Sequence, residues 1–407
     1  MTTPDYQQAL GRKIAAERRR RGLSQPELAR MIDRSVAWVS QVERGARKVD
    51  RMSVLETLAT ALDIPLAELA AEAPVVAAAT EETPGAAGLR LVLSGVYSLS
   101  ALLNGRRAPA TLTRLRAMTS QAWELAHAGR YAELADLLRS LIPDLESAVR
   151  TLPEGQRAET AELLATAYQA CSAALAKVGE PEAAWIAADR AMAAAEWTGN
   201  PLLIAAGAFR LVFVFLAARH YDQAEETART TADALAHLGD GDDLPAVSLW
   251  GGLTLQRAVV AARLNDPDAA YSHLEQARQA AARLGEGRND YNTEFGPANV
   301  ALHEIAVAVE LGDAGRALRS AAAVDTSGLS AERRARMLID VARAHAQRRQ
   351  VSEAVAALRQ AEGIIPEQVR AHDQVRQLVS DLTAMQDPPL AELRDLAERV
   401  GTARLSI

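Results

Sequence analysis

From Leu89 to the C-terminus the sequence repeats one alternation: a long apolar-periodic stretch, a short break, then a stretch with small residues at helical spacing. The breaks contain Gly129-Arg130-Tyr131, Gly179-Glu180-Pro181, Arg219-His220-Tyr221, Asn265-Asp266-Pro267, Gly312-Asp313 and Arg349-Gln350-Val351. They recur roughly every 37–50 residues, the length of two helices and a turn. Proline just after a break suits the first turn of a helix, where its missing N–H leaves no bond unmade. Alanines such as Ala183, Ala187 and Ala191 lie four apart and share one helix face. Aromatics are only 4% of the chain and β-branched runs are scarce, which argues against sheet. The expectation is an all-α chain. Its larger part stacks about six helix pairs and ends in a helix near 388–404, an α-solenoid with a concave groove.

The first residues stand outside this repeat. Ala73–Gly88 reads APVVAAATEETPGAAG, small residues with two prolines and two glycines and little periodicity. Such a stretch is a linker. Three regions follow: a compact head over 5–71, a linker over 73–88 and the repeat region over 89–407.

Charge separates head from body. Formal net charge is −7, but residues 1–51 carry 12 Lys/Arg against 6 Asp/Glu, leaving −13 on the remainder. A basic head on an acidic body fits phosphate binding at one end. A solvated basic face fits the charge equally well. Cys171 is the only cysteine, which excludes an intrachain disulfide and a cysteine-built zinc site. The N-terminus has Asp5 and no apolar run, so no secretory signal is read. Pro201–Ala218 is apolar enough to suggest a membrane span, but Arg210 at its centre would cost about 2.5–3.5 kcal/mol there. A helix buried among helices explains it better. The expected chain is soluble and cytoplasmic, with no membrane partner.

The head carries the sharpest local signals. Leu10 and Ile14 share one face of a first helix. Ser24-Gln25-Pro26-Glu27 is a capping box opening a helix over about Gln25–Ile32. Asp33-Arg34 makes a short turn to Ser35, the next N-cap, and Val36–Arg44 forms a helix with Val39 and Val42 inward. A further helix holds Leu55, Leu58, Ala59 and Leu62, and Pro65 opens a last one with Leu66 and Leu69 inward. Two short helices joined by a tight turn inside a five-helix bundle is the helix-turn-helix layout.

The run LSQPELARMIDRSVAWVSQVERG resembles the phage-repressor and Cro family of transcriptional regulators, often called the XRE family. The resemblance covers about 60 residues and includes the LATALDIPLAEL tail. Asp33 departs from it, since members usually have glycine there. The resemblance implies a double-stranded DNA operator, with the Val36 helix entering the major groove. Val36, Ala37 and Gln41 then fall where members touch base edges, with Ser40 nearby. Gln25 and Ser35 match positions that hold the backbone, and Arg47 and Lys48 would reach phosphates. Gln41 can bond adenine, and Val36 or Ala37 can pack on a thymine methyl. Arg18 and Glu43 would form an ion pair tying the first helix to the end of the recognition helix. One such helix reads only a few base pairs, so a homodimer is expected.

The repeats loosely resemble tetratricopeptide repeats, with longer and irregular intervals. Head plus repeats resembles, in layout, the peptide-pheromone receptors of Gram-positive bacteria. That implies a peptide or small-molecule ligand on the repeat region. The alternative is a scaffold docking a partner protein, with DNA binding secondary. No HExxH, GxSxG or phosphate-loop motif occurs, and Gly285-Glu286-Gly287 follows no strand, so it reads as a loop. An enzyme, a metal and a cofactor are not expected. Polar groups on apolar repeat helices are the candidate ligand residues: Arg210, whose face carries Gly207 and so leaves room beside the guanidinium, with Trp250, Arg257, Asn299 and His303. Pairing of Arg210 with a neighbouring glutamate and core packing of His303 is the plainer reading of the same residues.

Overall fold

A computed structural model of the chain describes residues 3–20, 23–47, 49, 52–62, 64, 69, 85–94, 111–238, 243–385 and 390–401. Every regular element among them is helical, and they divide into two compact units, Met1–Glu81 and Glu82–Ser406. No helix among the described residues is long and apolar enough to cross a membrane.

The first unit holds α1 (Thr3–Arg20), α2 (Gln25–Met31), α3 (Val36–Glu43) and α4 (Met52–Leu62). The α2 start is set by side chains. Ser24 Oγ accepts from the Glu27 N–H at 3.3 Å, and the Glu27 carboxylate accepts from the Ser24 N–H at 2.7 Å. These bonds satisfy donors that a helix N-terminus leaves open. Ser35 repeats the device for α3 by accepting from the Trp38 N–H at 3.1 Å. Leu10, Ile14, Leu28, Val39, Val42, Leu58 and Leu62 bury together, each contributing about 1.5–3 kcal/mol of apolar transfer. Gly11 lets α1 touch the end of α3: a Cβ there would stand 2.3 Å from the Val42 carbonyl oxygen. The fifth helix expected from Pro65 lies outside the described residues except for Leu69, which is buried.

Asp33 sits in the α2–α3 turn at φ 50°, a left-handed conformation that glycine adopts without a Cβ clash. Asp33→Gly should stabilise the first unit by about 0.5–1 kcal/mol, the relieved strain exceeding the entropy glycine adds to the unfolded chain. The first transition in urea unfolding of the full chain reads this; an unchanged or lower midpoint contradicts it.

The second unit opens with α5 (Ala86–Leu93). Residues 86–88, expected from their composition to be linker, are its first turn, because Ala86 and Leu89 bury in the unit's core; 73–84 lie outside the described residues. Six antiparallel hairpins follow: α6 (Leu112–His127) with α7 (Tyr131–Thr151), α8 (Glu154–Lys177) with α9 (Pro181–Glu196), α10 (Pro201–Ala217) with α11 (Tyr221–Leu238), α12 (Leu244–Arg263) with α13 (Pro267–Leu284), α14 (Pro297–Leu311) with α15 (Ala314–Ala323), and α16 (Ala331–Gln347) with α17 (Val351–Ile364). The first helix of each hairpin packs on the first of the next, which makes the array a tetratricopeptide-like stack. Short helices α18 (Pro366–Ala371), α19 (Asp373–Met385) and α20 (Ala391–Arg399) bury Val369, Val375, Leu382, Leu393 and Leu396 against the last hairpin.

Each sequence break is the turn within a hairpin, and all six close in one way. Gly129, Gly179, Arg219, Asn265, Gly312 and Arg349 all have positive φ. The next N–H bonds back to the carbonyl five residues earlier, as in Arg130 to Leu125 at 3.0 Å and Gln350 to His345 at 2.9 Å. This bond satisfies a carbonyl left open at a helix C-terminus and reverses the chain. Connections between hairpins are short except one: Gly285–Gly296, between α13 and α14, has 12 residues.

Candidate functional site

In the first unit, α3 sorts its side chains by angle. Val39 and Val42 are buried, Ser35 and Ala37 are exposed, and Ser40 and Gln41 are half-buried. Val36 is 44% exposed, an apolar side chain with no packing role in its own unit. Trp38 packs partly against the unit's core, with the Arg34 guanidinium 6.0 Å from its ring. Arg30, Arg34, Arg44 and Arg47 are exposed beside this face. Lys48 lies outside the described residues.

The α3 end is held by charge. Arg18 grips Glu43 bidentately, Nε to Oε1 at 2.5 Å and Nη2 to Oε2 at 2.9 Å, and its Nη1 donates to the Leu23 carbonyl at 2.7 Å. Gln25 Nε2 donates to Glu43 Oε2 at 2.8 Å, so one of its two N–H groups is committed inside the unit. Burial alone would raise the Glu43 carboxyl; the bonds from Arg18 and Gln25 outweigh it and hold the group below the usual range.

In the second unit the long connection Gly285–Gly296 turns inward and meets polar and charged groups from α6, α8, α10, α14 and α16. Arg210 (α10) has its guanidinium carbon 4.6 Å from the Trp123 ring and 5.0 Å from Phe209. Its Nη2 donates to the carbonyls of Tyr291 at 2.8 Å and Asn292 at 2.9 Å. Its Nε is buried with no hydrogen-bond partner. Arg333 (α16) donates from Nη2 to the Thr293 carbonyl at 3.1 Å, from Nε to the Glu294 carboxylate at 3.1 Å and from Nη1 to Asn299 Oδ1 at 2.6 Å. His127 (α6) lies 3.8 Å from Glu294, and Lys177 (α8) pairs with Glu332 (α16) at 3.2 Å.

These environments fix protonation. Burial would raise Glu332, but Lys177, Arg333 and Arg336 outweigh it and hold the carboxyl down at about 2. Burial is the main reason that His127 is pushed down to about 4. Burial, then the nearby Arg333, pushes His303 down to about 3. At neutral pH the cluster therefore holds neutral imidazoles among ionised carboxylates and cations.

The five expected ligand residues part company. Arg210, Asn299 and His303 gather around Arg333 and the long loop; His303 Nδ1 lies 2.9 Å from the Asn299 carbonyl oxygen. Trp250 instead lines a cleft of about 360 Å³ with Leu235, Val247, Ala280 and Arg283. Arg257 is occupied by Glu225 at 2.8 Å, which corrects its reading as a group awaiting a ligand. The room expected beside Gly207 is filled as well: a Cβ there would lie 2.4 Å from Met192 Sδ. Nor does Arg210 pair with a neighbouring glutamate; its partners are main-chain carbonyls and aromatic rings. Trp123, His127, Lys177, Glu294, Glu332 and Arg333 join the cluster without any motif in the sequence to mark them. The available signal was loop length, since connections of this size inside compact repeats commonly carry function.

Among curated proteins no relative matches this sequence. Solved structures do. One is the crystal structure of Bacillus thuringiensis PlcR in complex with the peptide PapR7 and DNA: 15% identity over 68% of this chain and 95% of that one, with a TM-score of 0.28. Another is a Rap protein complexed with competence and sporulation factor: 12% identity over 92% of this chain and 100% of that one, with a TM-score of 0.33. The family model described as a helix-turn-helix domain matches residues 9–71. That stretch holds the capped α2–turn–α3 pair and the outward α3 face, and residues 9–71 are a helix-turn-helix domain.

Proposed function

We propose that this chain is a sequence-specific transcriptional regulator that binds its operator as a homodimer and senses a peptide or small molecule with its second unit. The observation that carries the reading is the outward face of α3. Val36 and Ala37 are presented to solvent, with half-buried Gln41 one turn on, while Val39, Val42 and the Arg18–Glu43 pair fix the helix from behind. A helix so held can enter a major groove with its N-terminal residues against base edges. Exposed Arg47, with Lys48 beside it in sequence, supplies phosphate contacts. In the second unit, the support is the cluster of Arg210, Asn299, His303 and Arg333: two cations, an amide and a neutral imidazole, groups that can hold carbonyls and carboxylates.

Operator duplexes selected from a random pool, titrated at several salt concentrations, test this. Gln41→Ala should weaken the selected sequence by roughly 1–3 kcal/mol and relax one base preference. Arg47→Ala should weaken all sequences alike and lower the salt slope by about one unit. A selected site without two half-sites, or equal effects of both substitutions on every sequence, refutes the reading.

A further inference from the structure

The 12-residue connection between α13 and α14 is bound by the rest of its unit much as a separate peptide would be. Two consecutive carbonyls, of Tyr291 and Asn292, share Arg210 Nη2. The next carbonyl, of Thr293, and the next carboxylate, of Glu294, share Arg333. Its backbone is not relaxed: Tyr291, Asn292 and Glu294 have φ of 50°, 56° and 50°, left-handed values that side chains disfavour. Bonds within the loop, such as the Glu294 N–H to Asn289 Oδ1 at 2.8 Å, shape this turn, and the contacts from Arg210 and Arg333 hold it against the unit. On its N-terminal side are Gly285 and Gly287, left-handed and with open space around them. On its C-terminal side Phe295 is a core anchor, packed so closely on Gly251 that a Cβ there would meet its ring at 2.1 Å.

We propose that residues 289–294 are an internal occupant of the second unit's ligand site, and that a ligand enters by displacing them. This rests on reading the second unit as a sensor. The groups freed by displacement define the ligand class. Arg210 retains a buried Nε without a hydrogen-bond partner, and a guanidinium meets a carboxylate through two parallel bonds better than it meets two carbonyls through one nitrogen. Arg333 and neutral His127, now beside Glu294, accommodate a second acidic or amide group. The ligand is therefore an acidic peptide, carbonyls and carboxylates in series. A tethered competitor lowers its apparent affinity by the fraction of time the site is vacant, so the loop sets the threshold of response.

The test uses the full chain, wild type and Glu294→Gln, and a fluorescently labelled synthetic peptide with the sequence of residues 288–296 as probe. In Glu294→Gln the internal copy loses its charge on Arg333. The peptide should bind this variant at least tenfold more tightly than wild type, and Arg210→Ala added to Glu294→Gln should abolish the binding. Hydrogen exchange should show the amides of 292–294 opening about tenfold faster in Glu294→Gln, with α10, α14 and α16 unchanged. Equal affinity for the two proteins, no binding to the variant at about 1 mM, or loosening of those helices together with the loop overturns the proposal. Operator affinity, measured with and without the peptide, separates the two ideas. Peptide binding that leaves operator affinity unchanged keeps the displaceable loop and removes the sensor; operator binding by a chain whose loop never opens does the reverse.

Discussion

Replacing Arg18 with alanine is expected to destabilise the first unit by about 3 kcal/mol and to abolish operator binding, with the second unit melting as before. The side chains of Arg18 and Glu43 are 10% and 6% exposed, so removing the guanidinium leaves a carboxylate almost shut off from water. Gln25 alone then solvates it, and the Leu23 carbonyl loses its donor too. Breaking a buried pair in this way costs about 3–5 kcal/mol, and the partial opening to solvent places this one at the low end. A unit of 81 residues has only roughly 4–12 kcal/mol in all. Binding suffers beyond stability, because Glu43 is the last residue of α3 and the pair fixes where that helix points. Substituting both partners by methionine should recover much of the loss, since no charge is then stranded. Calorimetry of the full chain, where the two units can melt separately, reads the result. An Arg18→Ala protein whose first transition matches wild type would show that the pair is a surface contact.

The second large effect is acid weakening of the second unit well above the range of ordinary carboxylates. His127 and His303 are held neutral in the fold, with values of about 4 and about 3. Their unfolded values lie near 6.5. The unfolded chain therefore takes up protons first as pH falls, and stability that is complete above about 6.5 declines through the interval down to the folded values. Each histidine adds a slope approaching 1.4 kcal/mol per pH unit, or about 2 kcal/mol between pH 6.5 and 5. Half-buried His273, also lowered chiefly by burial, acts in the same direction. Glu332 continues the trend lower down, because its folded value of about 2 lies below its unfolded one, so its contribution is present above about 4.5 and lost as pH falls toward 2. Urea midpoints of the second transition at pH 7, 6 and 5 measure this. His303→Gln should flatten the profile by about half, and a wild-type midpoint constant from pH 7 to 5 would mean that the imidazoles are solvated in the fold.

Much of the helical framework is legible in the sequence. The Ser24 and Ser35 caps, the glycine or polar break in each hairpin and the spacing of Leu, Val and Ala positions are local codes, each acting within one or two helical turns. They set the bounds of α2 and α3 to within a residue, while the last helix, expected near 388–404, is described over Ala391–Arg399. They also set the outward face of α3, since burying Val39 and Val42 turns Val36 and Ala37 to solvent and leaves Gln41 partly exposed on the same short helix.

The interior of the second unit was decided by tertiary structure alone. Arg210 was legible as a buried cation but not as the holder of Tyr291 and Asn292, and nothing local links Lys177 to Glu332 or the Gly129 turn to Ile365, which touches it. Periodicity states which face of a helix is apolar; it does not state which distant hairpin that face will meet. That depends on small rotations accumulated over successive hairpins, and on a loop that arginines from other helices grip. The head's caps and its α2–α3 turn were written locally, whereas the packing of α1 on α3 and the cluster around Arg210 and Arg333 came from contacts between elements distant in sequence.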